Sequence, residues 1–560
     1  MKKNNILFFA VSLLIMPCFG QQAEQQKYYQ NGVVVSAHPE ASQVGLEILK
    51  KGGNAIDAAV AVQFALAVVY PNAGNIGGGG FLVYRSAKGE IASIDYREKA
   101  PGKASRDMYL DDKGNPIVDK SIYGHLSAGV PGTVDGMFKA HAKYGKLSWK
   151  AVVQPSVDLA AKGFPVTVKQ AGELNRQKAK FIQYNPSGTA LVKEQPWKAG
   201  DLLVQAELAH TFELIRDKGR AGFYEGEVAA HIVKEMQRGA GLISAKDLKD
   251  YDAKWRTPVT GKYKSYKLIT MPPPSSGGIA LMQLLQSVEP YPLASWGHNQ
   301  DSTVRLIVEA ERRVYADRAT HLGDPDFYKV PQEQLLKPEY QKERMKTMNW
   351  NRATPSAELQ AGTFNVKESE ETTHYSIVDK EGNAVSVTTT LNGAYGSFVV
   401  VKGAGFILND EMDDFSVKPG SPNKYGLVGG EANAIAPGKR MLSSMTPTIL
   451  ERDGKLYMVV GTPGGSTIIT SVFQTILNVL EFGQSMQEAV SSKRFHHQWL
   501  PDEVYTEKDV FSSATEAALK AKGYNLIPRA SIGRVDAILK TPKGYEGGAD
   551  PRGDDTTRGW

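Results

Sequence analysis

The sequence predicts a turn-rich mixed α/β protein in which β hairpins and buried helices share a large core, and three observations carry that reading. Its 55 glycines and 29 prolines, 84 of 560 residues, are scattered without a period, which excludes collagen-like and coiled-coil chains and fits a turn-rich enzyme better than a helical bundle. The stretch Ala55–Val69 is apolar nearly all round, the pattern of a helix buried on every side. Alternating runs flank Lys88-Gly89, Glu381-Gly382 and Asp453-Gly454, as strands flank the turns of hairpins. With 41% hydrophobic and 22% charged residues the chain has ample material for a core, so a disordered or fibrous chain is excluded. A net charge of +6 without a long run of one sign asks for neither nucleic acid nor a membrane surface as partner. At about 150 residues per domain the length allows three or four domains, or one large core with insertions.

Residues Met1–Gly20 read as a secretory signal: Lys2 and Lys3 give the positive start, Ile6–Met16 the apolar stretch, and Cys18-Phe19-Gly20 the cleavage positions. The stretch is too short to span a bilayer as a stable anchor. Its removal takes away Cys18, the only cysteine, so the mature chain is expected to have no disulfide, thiolate zinc site or catalytic Cys. Val33–Ser36 reads as a short strand and Glu40–Lys50 as an amphipathic helix ended by Gly52-Gly53. Asn54 caps the apolar helix Ala55–Val69, and Pro71 stops it. After the glycine run Gly77–Gly80, the runs Phe81–Tyr84 and Ile91–Arg97 form a hairpin. From Val134 to about Thr320 the pattern is mainly helical, broken by the loop Pro272–Gly278. The chain turns polar between Lys329 and Glu371, and its end, Lys367-Glu368-Ser369-Glu370-Glu371, reads as an exposed, extendable linker. At Thr372 the pattern changes abruptly. His374–Asp379 and Ala384–Asn392 make one hairpin, Thr446–Leu450 and Lys455–Gly461 a second, and a helix follows over about Ser466–Leu480. No repeat of 20 to 50 residues is present, which excludes solenoids and propellers.

Several chemistries leave no motif: there is no phosphate-binding loop, no H-E-x-x-H helix and no G-x-S-x-G elbow. Gly77–Gly80 is not a dinucleotide fingerprint, because Leu82 stands at the third glycine position, and it reads as close packing. The adjacent His496 and His497 read as structural. The sharpest feature is Glu371-Thr372-Thr373-His374-Tyr375-Ser376, where a small hydroxyl residue begins a strand straight after an exposed linker. A threonine hydroxyl is a poor nucleophile until a base takes its proton. A free α-amino group, with a pKa of about 7.7 to 8.0, supplies that base on the same residue near neutral pH. β-Branching confines the side chain to few rotamers and so helps to aim it.

This arrangement resembles the gamma-glutamyltranspeptidases, a family of N-terminal nucleophile hydrolases, and the resemblance runs in order from about residue 32 to 560. It implies that the precursor cuts itself between Glu371 and Thr372 and that Thr372 becomes the catalyst. Val387-Thr388-Thr389-Thr390-Leu391-Asn392 matches the segment whose last threonine, Thr390, bonds the nucleophile and whose Asn392 holds substrate. Asn409–Ser416 matches the segment that binds the substrate ammonium, here through Glu411 and Asp414; some bacterial members carry Gln at the position of Glu411, so this site is more acidic than theirs. Ser443 and Ser444, in Arg440–Pro447, match the pair that contacts the substrate carboxylate, and Arg97, in Asp95-Tyr96-Arg97-Glu98, the arginine that grips it. Gly464 and Gly465 match the amides of an oxyanion hole, and Tyr425, in a Pro- and Gly-rich loop, matches the tip of a lid. Segments 52–59 and 75–80 and the ending Asp550-Pro551-Arg552 look like family segments too.

Taken singly, Arg97 in a hairpin reads as a solvated strand residue, Asp413-Asp414 as turn-capping acids, and the serine and glycine pairs as turns. Their fit to one ligand favours the other reading. A γ-glutamyl group offers a carboxylate, an ammonium and a remote amide, and the set offers an arginine with two hydroxyls, two acids with an amide, and a nucleophile beside an anion hole.

The resemblance implies an α+β fold, a four-layer αββα sandwich. It further implies a large chain 21–371 and a small chain 372–560 folded as one intertwined unit and associated as a heterodimer after self-cleavage. The expected donors are small γ-glutamyl compounds such as glutathione, and the acceptors water, amino acids or dipeptides, with no metal or organic cofactor, in the periplasm or outside the cell. Alternatives from the sequence are an acylase acting on β-lactam side chains or poly-γ-glutamate, a secreted two-lobed binding protein, and a glycosidase using Asp413 or Asp414.

Overall fold

The computed structural model describes residues 28–359, 372–418 and 430–560. Two seven-stranded sheets lie at its centre. The first runs in the order Thr556–Gly559, Val33–Ser36, Thr373–Val378, Ala384–Thr390, Gly79–Arg85, Ile91–Asp95, Lys254–Arg256, with every neighbouring pair antiparallel. The second runs Tyr28–Tyr29, Gly544–Ala549, Asp536–Thr541, Lys455–Gly461, Thr448–Arg452, Tyr266–Thr270, Val259–Tyr263, likewise antiparallel throughout.

Side-chain alternation sorts each strand between two cores, as the pleat requires. Val33, Val35, Phe81 and Val83 of the first sheet meet Ile269, Ile449, Val459 and Ile538 of the second in a dry layer between the sheets. Their neighbours Val34, Leu82, Tyr375 and Ile377 point the other way, into a core shared with helices that include Ala55–Val69. On the far face of the second sheet, Leu268, Leu450, Met458 and Val460 pack against the helices Gly277–Val288, Asp301–His321 and Thr467–Leu480. The result is the four-layer αββα sandwich. Residues before and after Thr372 contribute adjacent strands to both sheets.

Ala55–Val69 is buried at every position, and Asn54 caps it in a capping box with Asp57. The glycine run is a packing device: a Cβ at Gly78 would stand 2.1 Å from the Thr390 carbonyl, so only glycine lets this turn approach the neighbouring strand. One expectation fails. The stretch read as mainly helical to Thr320 contains the hairpin Val259–Tyr263 and Tyr266–Thr270, an edge of the second sheet. The signal was an alternation of buried Val259 and Tyr263 with more exposed Thr260 and Lys262, which the surrounding helices masked.

Candidate active site

Thr372 lies at the start of the strand Thr373–Val378, in the middle of the first sheet. The next strand ends at Thr390, so the two threonines meet across the ladder, Oγ1 to Oγ1 at 3.5 Å. Thr390 Oγ1 also accepts the Asn392 amide N–H at 2.8 Å, while Asn75 Nδ2 donates to the Thr390 carbonyl at 2.8 Å and fixes the strand end. Asn392 has φ +73° and donates its side-chain amide to the Asp410 carbonyl at 3.0 Å, which ties it to the acidic segment. His374 is fully buried between Thr388 Oγ1 and Ser376 Oγ, and burial pulls its pKa down to about 3; it is a neutral structural group.

Arg97 follows the strand Ile91–Asp95 and is completely buried, not solvated. Its Nη1 donates to Glu411 Oε1 and its Nη2 to Asp414 Oδ2, with the Leu442 carbonyl at 3.1 Å and Glu98 Oε2 at 3.5 Å. Burial works against the guanidinium charge, but Glu411, Asp414 and Glu98 together hold its pKa above the ordinary range. For the three acids the same upward direction disfavours the charged form. Burial raises Glu411 well above the carboxylate range, raises Asp414, and pushes Glu98 up to about 7, with Arg97 only partly offsetting it. Both Glu98 oxygens, Glu411 Oε2 and Asp414 Oδ1 find no hydrogen-bond partner among the described residues. One cation faced by three acids with spare acceptor atoms is a place for a second cation that brings N–H donors. Asp413 is occupied elsewhere, accepting from Ser121 Oγ at 2.5 Å.

Ser443 and Ser444 are buried and directly follow Leu442, whose carbonyl accepts from Arg97. The Pro272–Gly278 loop holds them in place. Ser443 N–H donates to the Pro274 carbonyl at 3.0 Å, and Ser276 N–H to the Ser443 carbonyl at 2.7 Å. Sequence reasoning missed Arg318, on the helix Asp301–His321, which donates to Ser444 Oγ and to Ser276 Oγ, both at 2.8 Å. Its place among other helical charges gave no local signal.

Gly464 and Gly465 have φ +135° and +55° and precede the 14-residue helix Thr467–Leu480. Their carbonyls accept the first helical N–H groups, Thr467 at 3.0 Å and Ile468 at 3.1 Å, so their own amides stand at the positive end of the helix dipole. The next residue is braced from behind: Tyr315 OH donates to the Ser466 carbonyl, and Ser466 Oγ to Gln498 Oε1 at 2.7 Å. His496 supports Gln498 through Nε2 at 2.9 Å, and burial pulls its pKa down to about 4. His497 is buried as well, which fits the structural reading of both.

Thr372 and Gly464 line one cleft of about 150 Å³, together with Arg529, Ser531, Arg534 and Arg552. Glu371, Tyr425 and the signal segment lie outside the described residues. Among the described residues no cluster of three or more His, Cys, Asp or Glu is arranged to hold a metal ion, and no helix is long and apolar enough to cross a membrane.

The family model described as Gamma-glutamyltranspeptidase matches residues 41–560. The chain is 48% identical over 535 residues to the glutathione hydrolase proenzyme of Escherichia coli (strain K12), covering 95% of this chain and 92% of that protein. Among solved structures it is similar to the cephalosporin acylase from Bacillus halodurans, with a TM-score of 0.85 at 25% identity over 99% of both chains. It is also similar to the Helicobacter pylori gamma-glutamyltranspeptidase, with a TM-score of 0.57 at 44% identity over 58% of this chain and 94% of that one.

Proposed function

The chain belongs to the gamma-glutamyltranspeptidase family, and from that premise we propose that Thr372 is the nucleophile of a γ-glutamyl transferase and hydrolase acting on glutathione and related amides. Thr372 first attacks the carbonyl before it and cuts the chain after Glu371, which frees its own α-amine. In each turnover the hydroxyl proton passes to that amine while Oγ1 bonds to the γ-carbonyl carbon. Thr390 orients the hydroxyl, and the amides of Gly464 and Gly465 hold the tetrahedral oxyanion. Collapse breaks the C–N bond, the amine's proton goes to the leaving nitrogen, and a γ-glutamyl ester remains. Water or an amino acid or dipeptide then takes the acyl group by the reverse sequence of proton transfers.

Arg97, with Ser443 and Ser444, receives the glutamyl carboxylate, and Glu411, Asp414 and Asn392 receive the ammonium. The large chain 21–371 and small chain 372–560 stay together as a heterodimer; their interleaved strands support this, because separating them would dismantle both sheets. The amino-terminal signal supports export to the periplasm.

The observation that carries this reading is the meeting of Thr372, backed by Thr390, with Gly464 in one cleft. An acylase for apolar or β-lactam side chains would share that feature. The buried Arg97–Glu411–Asp414 cluster favours a zwitterionic substrate instead, since an apolar acyl group would bring no donor to the spare oxygens of Glu98, Glu411 and Asp414. Intact-mass measurement with a γ-glutamyl p-nitroanilide assay tests the proposal. Wild type runs as two chains with the small one beginning at Thr372, Thr372→Ala stays whole and inactive, and Thr372→Ser cuts slowly. An active single chain would overturn it.

A further inference from the structure

The glycine run Gly77–Gly80 lies between the strand end that meets Thr372 and the groups around Arg97, and two buried asparagines tie it to both. Asn75, just ahead of the run, is saturated with hydrogen bonds. Its Oδ1 accepts from Gly78 N–H at 3.1 Å and from Thr133 Oγ1 at 2.7 Å. Its Nδ2 donates to the Thr390 carbonyl at 2.8 Å, the Ala73 carbonyl at 3.0 Å and Thr389 Oγ1 at 3.2 Å. Asn409 is equally engaged on the acidic side. Its Nδ2 donates to the carbonyls of Gly77 and Gly129, both at 2.8 Å, and its Oδ1 accepts from Gly129 N–H at 2.8 Å and Glu411 N–H at 3.0 Å. A third tie joins the two outer segments directly, from Asp410 N–H to the Leu391 carbonyl at 3.0 Å, beside the bond from Asn392 to the Asp410 carbonyl. The run, the strand end and the acidic segment thus form a triangle bonded on all three sides. It is packed without slack: a Cβ at Gly77 would stand 2.1 Å from the Ile407 carbonyl, as one at Gly78 would from that of Thr390. At the far end of the run, Gly80 exchanges backbone hydrogen bonds of 3.1 and 3.3 Å with Tyr96, the residue before Arg97.

We propose that this triangle is a length gauge, in which Asn75 and Asn409 are positioning residues that fix how far Thr372 stands from the Arg97–Glu411–Asp414 cluster, so that a γ-acyl chain is accepted and chains one methylene shorter or longer are rejected. The inference rests on the γ-glutamyl reading above. A substrate held by the charges on its α-carbon brings its carbonyl to Thr372 only if the chain between them has the right length. A methylene step exceeds the roughly 0.5 Å tolerance of a productive geometry, so a rigid frame rejects its neighbours in the series. The gauge discriminates only as well as it is stiff. Stiffness comes here from two side chains whose donors and acceptors are all engaged, so neither can swing to another partner without leaving buried groups unpaired. Asn75 acts on the nucleophile end, through the Thr390 carbonyl, and Asn409 on the ammonium end, through the Glu411 amide.

The test uses the mature two-chain enzyme and the p-nitroanilides of γ-glutamate, β-aspartate and δ-aminoadipate, which carry the same α-ammonium and α-carboxylate and differ by one methylene in reach. Wild type is expected to favour the γ-glutamyl compound over each neighbour by roughly a hundredfold in kcat/KM. Asn409→Ser and Asn75→Ser are each expected to narrow that ratio by about tenfold, the size of a lost buried hydrogen bond. Their losses on the γ-glutamyl compound itself fall differently: on KM in Asn409→Ser, with self-cleavage kept, and on kcat and the rate of self-cleavage in Asn75→Ser. Protein that is merely destabilised would lose on all three donors alike and keep the ratio. Thr133→Val keeps the shape of its side chain but removes one donor to Asn75, and it stands in should a serine variant fail to fold, with the ratio expected to fall severalfold. A wild type without a length preference would overturn the inference before any variant is made. An unchanged ratio in folded, cleaved Asn409→Ser or, failing that variant, in Thr133→Val would do the same. Absence of turnover with all three donors in wild type would instead refute the underlying function.

Discussion

Arg97 is ion-paired to Asp414 in the protein's interior, although the substrate offers an opposite charge to each of them. On the proposed reading a γ-glutamyl group brings a carboxylate for the arginine and an ammonium for the acids, so binding would exchange the internal pairs of Arg97 with Glu411 and Asp414 for pairs with substrate. That exchange would make the site selective for a zwitterion: a ligand with only one of the two charges would break the pairing and leave a buried ion unmatched, at a cost of several kcal/mol.

Arg97→Lys keeps the charge but loses the planar two-pronged donor, and Asp414→Asn keeps the volume but loses the charge. Each is expected to lower kcat/KM for γ-glutamyl p-nitroanilide by about 2 kcal/mol, roughly thirtyfold. Self-cleavage should fall much less. Parallel measurement of intact mass and turnover decides the matter, since equal losses would mean misfolding and an unchanged KM in Arg97→Lys would remove Arg97 from the site.

Glu411 gives a stability prediction with a definite sign. Its folded pKa is raised, by burial first, so its contribution is fully present below the unfolded value near 4.5 and is lost as pH rises through the folded value. Glu411→Gln keeps an acceptor for Arg97 and removes the ionisation. The variant is therefore expected to gain thermal stability over wild type at pH 8 and to gain less, or nothing, at pH 5. Melting temperatures at the two pH values measure it; a difference that shrinks as pH rises would contradict the assignment.

The elements that proved legible in the sequence had local causes. Asn54 and the unbroken apolar run specify a capped, buried helix, and alternation across Glu381-Gly382 specifies the hairpin that carries Thr372 and Thr390. The hairpin Val259–Thr270 was missed because Lys264 takes its positive φ without the Asn-Gly or Asp-Gly signal that marks such turns. Arg97 on local grounds is a solvated strand residue. It is buried because acids more than 300 residues away fold over it, which only the resemblance could anticipate. Arg318, Arg529 and Arg534 have no local signal at all, and Arg552 stands in the family-like ending Asp550-Pro551-Arg552, but the three cleft arginines meet Thr372 only through the tertiary fold.

Gly464→Ala probes the anion hole. At φ +135° a side chain is strained, and the added methyl would stand 2.5 Å from Thr467 Oγ1 and 3.2 Å from Gly533 Cα, so the loop must shift its amides. A misplaced oxyanion donor costs about a hundredfold to a thousandfold in kcat. The loss is expected in kcat more than in KM, because the ground-state carbonyl uses the hole little. Steady-state kinetics of the cleaved variant checks this, and a kcat near wild type would place the oxyanion elsewhere.

The last prediction concerns the pH dependence of turnover. Cleavage leaves Thr372 with a free α-amine, ordinarily of pKa about 7.7 to 8.0. Two features of its surroundings disfavour the ammonium form: Thr372 is only 6% exposed, and among the described residues the cleft it lines holds three arginines and no acid. Both lower the pKa, so the amine is neutral over more of the physiological range than a free one. A general base works in its neutral form, which places activity above the amine's pKa and removes it as pH falls through that value. The profile of kcat/KM for γ-glutamyl p-nitroanilide is therefore expected to have an acid limb with a midpoint below about 7.7. In Arg529→Gln the midpoint should move upward, because one positive neighbour is gone. Melting temperatures along the series separate this limb from acid unfolding. A flat profile from pH 5.5 to 9 in a stably folded enzyme would rule out the Thr372 amine as the base, and a downward shift in Arg529→Gln would rule out Arg529 as its electrostatic neighbour.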